Sequence, residues 1–122
     1  MRQRRYSGMV SYEWKINYYE SKEGKSPIFD FIQSLDIKAQ SRVFHVLELL
    51  KEFGIKLGLP HAKKLVGTDL WELRILGNSS IRIFYIITTG RTFLLLHGFQ
   101  KKKNKTDHKA IKIAQIRLKD YE

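Results

Sequence analysis

The 122-residue sequence has no cysteine, two prolines, and only 12 acidic residues against 23 Lys and Arg. The lack of cysteine excludes disulfides, zinc–thiolate centres and thiol nucleophiles, and it fits a reducing cytoplasm. No apolar run approaches the roughly 20 residues of a membrane-spanning helix, and the basic start MRQRRYSGMVSY lacks the apolar stretch of a signal peptide. We therefore expect one cytoplasmic domain over residues 11–122, preceded by a basic arm at residues 1–10.

Motifs for metals and nucleotide cofactors are also missing. The four histidines have no metal-ligand spacing such as H-E-x-x-H, and no carboxylates are grouped with them. The sequence contains neither a P-loop nor a GxGxxG stretch. We expect no metal and no cofactor.

Positive charge is what the sequence has in excess. The formal net charge is +11, and residues 61–122 contribute +8 of it, with 13 Lys and Arg against 5 Asp and Glu. Such an excess repels itself, so a small domain that keeps it often has an anionic partner. Nucleic acid is the leading candidate and an acidic protein the second, while a basic surface that serves solubility alone is the remaining alternative.

The hydrophobic patterns predict an α+β fold in the order β-α-α-β-β-β-α. YEWKINYY alternates like a half-buried strand, and SPIFDFIQSL with IKAQSRVFHVLELLKEF forms a helical hairpin. Ser26 and Asp36 are suitable N-caps, and Gly54 is a suitable stop. Three strand-like runs follow, LWELRIL, SIRIFYIIT and TFLLLHGFQ, and then an amphipathic helix that Thr106 or Asp107 can cap. We expect an antiparallel sheet with the helices packed on one face.

Two arginines are predicted to meet on the uncovered face of this sheet. Side chains alternate along a strand, so Arg74 and Arg82 point away from the apolar set of their strands, on either side of the GNSS turn. Adjacent arginines repel, so each needs either a bound anion or an acidic partner such as Glu72 or Asp69.

The lysines of LHGFQKKKNKTD, residues 96–107, extend the same basic face. The last strand aims Lys101, Lys102 and Lys103 at one end of the sheet. The candidates for a phosphate-binding rim are Lys63, Lys64 and Lys105, although solvated loop positions explain the first two equally well.

Other aromatic and histidine positions have simpler explanations. Phe84 is better explained by packing than by base stacking, and His97, in an apolar strand, is as well explained by a structural role as by a catalytic one. Tyr85 is expected to face inward. His45 is expected to be structural, and His61 and His108 are expected at the surface.

The ordered set LWELRI, IRIFYI and LLLHGFQKKKNKTD, followed by an amphipathic helix, resembles the RelE/HigB-like toxins of bacterial type II toxin–antitoxin systems. The resemblance is to the phage-derived branch of that superfamily and runs from about Tyr12 to Tyr121. The family often has Thr-Pro before the last helix, whereas this sequence has Thr106-Asp107. Asp107 can still begin a helix.

The resemblance implies cleavage of mRNA in the ribosomal A site, where the 2′-hydroxyl attacks the adjacent phosphate. It also implies a cognate antitoxin, often of the helix-turn-helix type, through which alone the operator DNA is bound. By position, Arg74 and Arg82 match basic residues of the family's catalytic sheet, and the lysines at residues 101–103 match its KK run. Two rivals remain at this point: a ParE-like gyrase inhibitor, and a non-enzymatic protein that binds RNA or the ribosome.

The residue types suit this chemistry. Arginine offers two aligned donors to phosphate oxygens and stays charged, so Arg74 and Arg82 can stabilise a phosphorane-like transition state. A lysine crowded by other cations loses its proton more easily, so one of the three lysines can serve as general base. His97 or Tyr85 are alternative proton carriers. The antitoxin could cover the basic face or bind the helices instead.

Overall fold

A computed structural model describes residues 14–77, 80–102 and 107–122. Its five strands form one sheet in the order β1-β5-β4-β3-β2. The strands are β1 (Lys15–Tyr18), β2 (Ala62–Lys64), β3 (Trp71–Ile75), β4 (Ile81–Thr88) and β5 (Thr92–Gln100), and the helices are α1 (Pro27–Ser34), α2 (Ile37–Phe53) and α3 (His108–Tyr121). The α+β class is confirmed, and the predicted order holds except that the short strand β2 was not expected.

Several predictions concern residues outside the described part of the chain. These are the basic arm at residues 1–10, the start of the first strand at Tyr12, the alternative cap Thr106, and the lysines Lys103 and Lys105. Among the residues that the structure describes, the helices fall short of what a membrane crossing would need in length and apolar character.

The sheet is antiparallel except at one edge. β2 pairs with β3, β3 with β4 and β4 with β5, all antiparallel, whereas β1 lies parallel to β5. The short connections between β3, β4 and β5 explain the antiparallel hairpins, because a tight turn can join only antiparallel strands. β1 is separated from β5 by the rest of the chain, so no such constraint applies to it.

The helical hairpin α1–α2 covers one face of the sheet, which we call the hairpin face. Its core positions are those expected from the helical spacing: Ile28, Ile32, Val43, Val46, Leu47 and Leu50 are all buried. Asp36 caps α2, since its carboxylate accepts a hydrogen bond of 2.8 Å from the backbone N–H of Ala39. Phe53 continues the same helical spacing three residues after Leu50, but it is 48% exposed.

Gly54 ends α2 at a position that only glycine suits. Its φ is +58°, and a Cβ there would lie 2.1 Å from the indole nitrogen of Trp14. Trp14 in turn stacks on Phe93 of β5, with ring centroids 4.6 Å apart. The close approach of the glycine backbone therefore lets the end of α2 pack directly against the edge of the sheet.

The prediction that the helices share one face is wrong for α3. Gly98 of β5 points toward Phe31 of α1 on the hairpin face. Its neighbour Phe99 points the other way and lines a cavity together with Ile111 of α3. The physical reason is that β4 and β5 are apolar on both faces. Phe84 is 2% exposed although it points away from the hairpin, so this second face, which we call the site face, also needs a cover.

A β-bulge in β5 determines which side chains reach the site face. Tyr85 pairs with Leu95, but the preceding Phe84 pairs with His97, so Leu96 is the extra residue. The backbone carbonyl of Leu96 instead accepts a hydrogen bond of 2.9 Å from Arg117 of α3. Because the bulge interrupts the alternation, residues after it point to the face opposite the one that an unbroken strand would give them.

Candidate functional site

A cleft opens on the site face between the β3 side of the sheet and the beginning of α3. Its volume is about 130 Å³. We call it the basic cleft. Among the residues that the structure describes, its lining comprises three basic, two acidic and four apolar or aromatic residues: Lys63, Arg74, Lys101, Glu72, Asp107, Leu65, Phe84, Phe99 and Ile111.

Arg74 and Arg82 face each other directly across β3 and β4, as the alternation predicted. The acidic partner that the sequence left open is Glu72, on the same face two residues before Arg74. One oxygen of Glu72 accepts a hydrogen bond of 3.0 Å from Nε of Arg74 and lies 4.0 Å from Nε of Arg82. A single buried carboxylate thus forms ion pairs with both guanidinium groups.

The two arginines differ in what else they can reach. The side chain of Arg74 is 29% exposed and lines the cleft. That of Arg82 is 16% exposed, and its Nη1 donates to the carbonyl of its neighbour Ile81. Arg74 is therefore the guanidinium placed to touch a ligand in the cleft, and Arg82 lies beside it on the neighbouring strand, outside the cleft lining.

Lys63 and Lys101 approach the cleft from opposite sides. Lys63 pairs with Glu72 across β2 and β3, so it shares the site face. The backbone N–H of Lys101 donates to the carbonyl of Ser80 at 2.6 Å, which continues the β4–β5 ladder beyond the end of β5. Lys101 therefore keeps the alternation of Phe99, two residues earlier, and lines the same cleft.

Positive charge exceeds negative charge around the cleft. Lys63, Arg74 and Lys101 line it against Glu72 and Asp107, and Arg82 adds a fourth cation beside them. Asp107 is committed to capping α3, since its carboxylate accepts a hydrogen bond of 3.0 Å from the backbone N–H of Ala110. A bound phosphate would offset the excess of two positive charges that these described residues carry.

Aromatic rings form the floor of the cleft. Phe84 and Phe99 pack at a centroid distance of 5.0 Å with an interplanar angle of 59°. The ring of His97 also stacks on Phe99, with a centroid distance of 5.5 Å and an interplanar angle of 13°. Phe84 is buried, in agreement with the packing role expected for it, while Phe99 is only half-buried.

His97 lies beside the cleft and does not line it. Arg117 of α3 contacts its Nδ1 at 3.2 Å. Burial, together with the positive charge of Arg117, lowers the pKa of His97 to about 4. The ring is therefore neutral at neutral pH, and it accepts the proton of the guanidinium at Nδ1.

Other predicted residues point elsewhere. The ammonium of Lys64 donates to the carbonyl of Thr68 in its own loop, and its strand position is on the opposite face from Lys63. Lys102 is exposed and outside the cleft lining. Tyr85 is 2% exposed and faces inward as expected; its burial raises the pKa of the phenol.

The sequence reasoning did not assign the apolar lining to the site. Phe99, Leu65 and Ile111 complete the cleft. The position of Phe99 two residues before Lys101 was a usable signal, because residues so spaced share a face. The described residues contain no group of three or more His, Cys, Asp and Glu side chains placed to hold a metal ion.

Comparison with known protein families shows to which of them the chain belongs. Residues 30–119, nearly three quarters of the sequence, match the family described as phage-derived protein Gp49-like (DUF891). No curated protein matches the sequence. The match covers the helical hairpin from Asp30 onward, all of the cleft-lining strands and most of α3. The chain therefore belongs to the phage-derived Gp49-like family, a family associated with the toxins of toxin–antitoxin systems.

Proposed function

We propose that this protein is the toxin of a type II toxin–antitoxin system and an endoribonuclease that cleaves mRNA on translating ribosomes. The observation that carries the proposal is the basic cleft, where cations from three strands surround an aromatic floor. A single-stranded polynucleotide offers both complements, phosphates for the cations and bases for the aromatic rings. The resemblance to RelE/HigB-like toxins and the toxin-associated family point to the same activity.

The proposed reaction is attack of a ribose 2′-oxygen on the adjacent phosphorus. The bond from phosphorus to the 5′-oxygen breaks, and the products are a 2′,3′-cyclic phosphate and a 5′-hydroxyl. The transition state carries additional negative charge on the phosphate oxygens. Arg74 has its Nε held by Glu72, so its outer nitrogens are directed toward the cleft and can donate to those oxygens.

Lys63 and Lys101 are the proposed partners of Arg74. They lie on β2 and at the end of β5, on two sides of the cleft, and so can hold one phosphate between them. One of the two lysines can accept the 2′-hydroxyl proton, and the other can donate a proton to the leaving 5′-oxygen, which becomes the 5′-hydroxyl. His97 is a weaker candidate because Nδ1 is engaged by Arg117.

The proposal includes the partners that the resemblance implies. A cognate antitoxin, of the helix-turn-helix type, neutralises the toxin and alone contacts operator DNA. The ribosome supplies part of the catalytic geometry, which accounts for the small number of acid–base groups around the cleft.

Primer extension on a defined mRNA tests the proposal, with purified protein added to a translating extract and, separately, to naked RNA. We expect cuts during translation. Arg74→Ala should lower the cleavage rate by about 10²- to 10³-fold, the usual effect of removing one transition-state donor. Arg74→Lys keeps the charge but loses the two-pronged donor, so it should restore little of the rate.

Lys102→Ala is the matched control, since it removes a neighbouring exposed cation outside the cleft. It should cleave like the wild type. Absence of cuts by the wild-type protein in both settings would refute the proposal and leave gyrase poisoning or RNA binding without cleavage. Cuts that persist at full rate in a folded Arg74→Ala variant would refute the assignment of the cleft.

A further inference from the structure

A buried acid in the middle of a basic site is the feature that the proposed function does not use. Glu72 is 7% exposed, and it lies within a group of cations whose proposed task is to bind an anion. A carboxylate at this position weakens the attraction for phosphate. Burying it also carries a desolvation cost. Its presence therefore calls for a role other than affinity.

The register of the sheet indicates what that role is. Arg74 and Arg82 are directly opposite each other on adjacent strands, where like charges destabilise the pairing. The oxygen of Glu72 that accepts from Nε of Arg74 at 3.0 Å is also the one nearest Nε of Arg82, at 4.0 Å. One carboxylate thus forms a hydrogen-bonded ion pair with Arg74 and a longer ion pair with Arg82, whose Nε has no hydrogen-bond partner among the described residues.

The bond to Glu72 also fixes the orientation of Arg74. It engages Nε, on the inner side of the guanidinium, through a charge-assisted hydrogen bond. Lys63 faces Glu72 from β2, so the acid lies between cations on both sides. The outer nitrogens of Arg74 then keep a constant position relative to the lysines across the cleft.

We infer that Glu72 is a positioning residue. It lowers the affinity for RNA, but it holds Arg74 in the orientation that stabilises the transition state. This inference rests on the proposed endoribonuclease activity. It predicts that binding and cleavage respond in opposite directions when the charge of Glu72 is removed. A residue needed only for folding would lower both together.

Glu72→Gln tests this separation, because glutamine has the same shape but no charge. We expect it to bind a short fluorescein-labelled single-stranded RNA at least as tightly as the wild type in an anisotropy titration, since a negative charge has left the cleft. We expect its cleavage rate at saturating protein in the translating extract to fall by about a hundredfold, the effect of misplacing a catalytic group by about 1 Å. Circular dichroism and the thermal midpoint of each variant report folding.

Glu72→Asp provides a second variant in case Glu72→Gln does not fold. It keeps the charge but shortens the side chain by one methylene, so the carboxylate withdraws from Nε of Arg74. RNA affinity should equal that of the wild type, while cleavage falls. Lys112→Ala, an exposed substitution on α3, serves as a control for surface charge.

The outcomes separate the two ideas. If the wild type cleaves and folded Glu72→Gln or Glu72→Asp cleaves equally fast, the positioning role is refuted and the nuclease remains. If affinity and cleavage fall together, Glu72 is structural and the inference is again refuted. If the wild type cuts no RNA in the extract, the proposed function fails, and the positioning role fails with it.

Discussion

The neutral ring of His97 predicts how the stability of the protein depends on pH. Burial and Arg117 lower the pKa of His97 to about 4, from 6.5 for a free imidazole. As the pH falls, His97 therefore becomes protonated in the unfolded chain at a higher pH than in the folded protein. The contribution of the neutral ring to the free energy of unfolding is fully present above about pH 6.5 and is lost progressively as the pH falls to about 4.

The size of the effect follows from the two pKa values. Their difference corresponds to at most about 3 kcal/mol of unfolding free energy. Because part of the ring reaches solvent, we expect about 2 kcal/mol. His97→Gln removes the titration while keeping a side-chain oxygen that can accept from Arg117.

Urea unfolding of both proteins near pH 7.5 and near pH 4 measures this contribution. Each protein loses some free energy of unfolding between the two pH values. Since the other titrating groups are common to both proteins, the difference between the two losses is the contribution of His97. We expect the variant to lose about 2 kcal/mol less than the wild type between the two conditions. Equal losses would refute the account of a buried neutral imidazole. Retained cleavage by His97→Gln would agree with a structural role, and loss of cleavage in a folded variant would restore His97 as a proton carrier.

Two further predictions test the lysines and the packing of the sheet. Lys63→Ala should weaken RNA binding and make the slope of log K against log salt less negative by about 0.7, the contribution of one single-strand phosphate contact. Lys64→Ala removes the same charge one residue away but on the opposite face, so its slope should stay near that of the wild type; equal slopes for the two variants would contradict the assigned faces. Gly98→Ala would place a Cβ 2.6 Å from the ring of Phe31. Such overpacking should lower the free energy of unfolding by about 1–3 kcal/mol in a urea titration, and an unchanged midpoint would mean that α1 moves freely over this position.

Local patterns were sufficient to predict much of the fold and one half of the site. Asp36 and Asp107 cap the helices that follow them, because capping depends on a short stretch of chain. Arg74 and Arg82 meet as predicted, since a tight turn and a period of two leave little freedom in the β3–β4 hairpin. These are the features that neighbouring residues alone determine.

The rest depends on contacts between distant parts of the chain. Nothing near Lys63 and Lys64 in the sequence indicates that three residues of a long connection pair with β3 and separate the two lysines between faces. The position of α3 could not be predicted because strands that are apolar on both faces do not specify which helix covers which. Glu72 was recognised as a possible partner for either arginine. That it forms ion pairs with both of them can be seen only from the three-dimensional arrangement of the strands.

The bulge at Leu96 has a consequence for how the sequence of this family can change in length. Leu95 and His97 pair with the neighbouring residues Tyr85 and Phe84, so a strand that lacked Leu96 would continue the ladder without a bulge and keep Lys101 on the side of Arg74. The arrangement of side chains in the cleft therefore tolerates the loss of this one residue. The same loss would remove the backbone carbonyl that accepts a hydrogen bond from Arg117, and so weaken the attachment of α3 to the sheet. Relatives whose β5 is shorter by this residue are therefore expected to differ at the position of Arg117 as well.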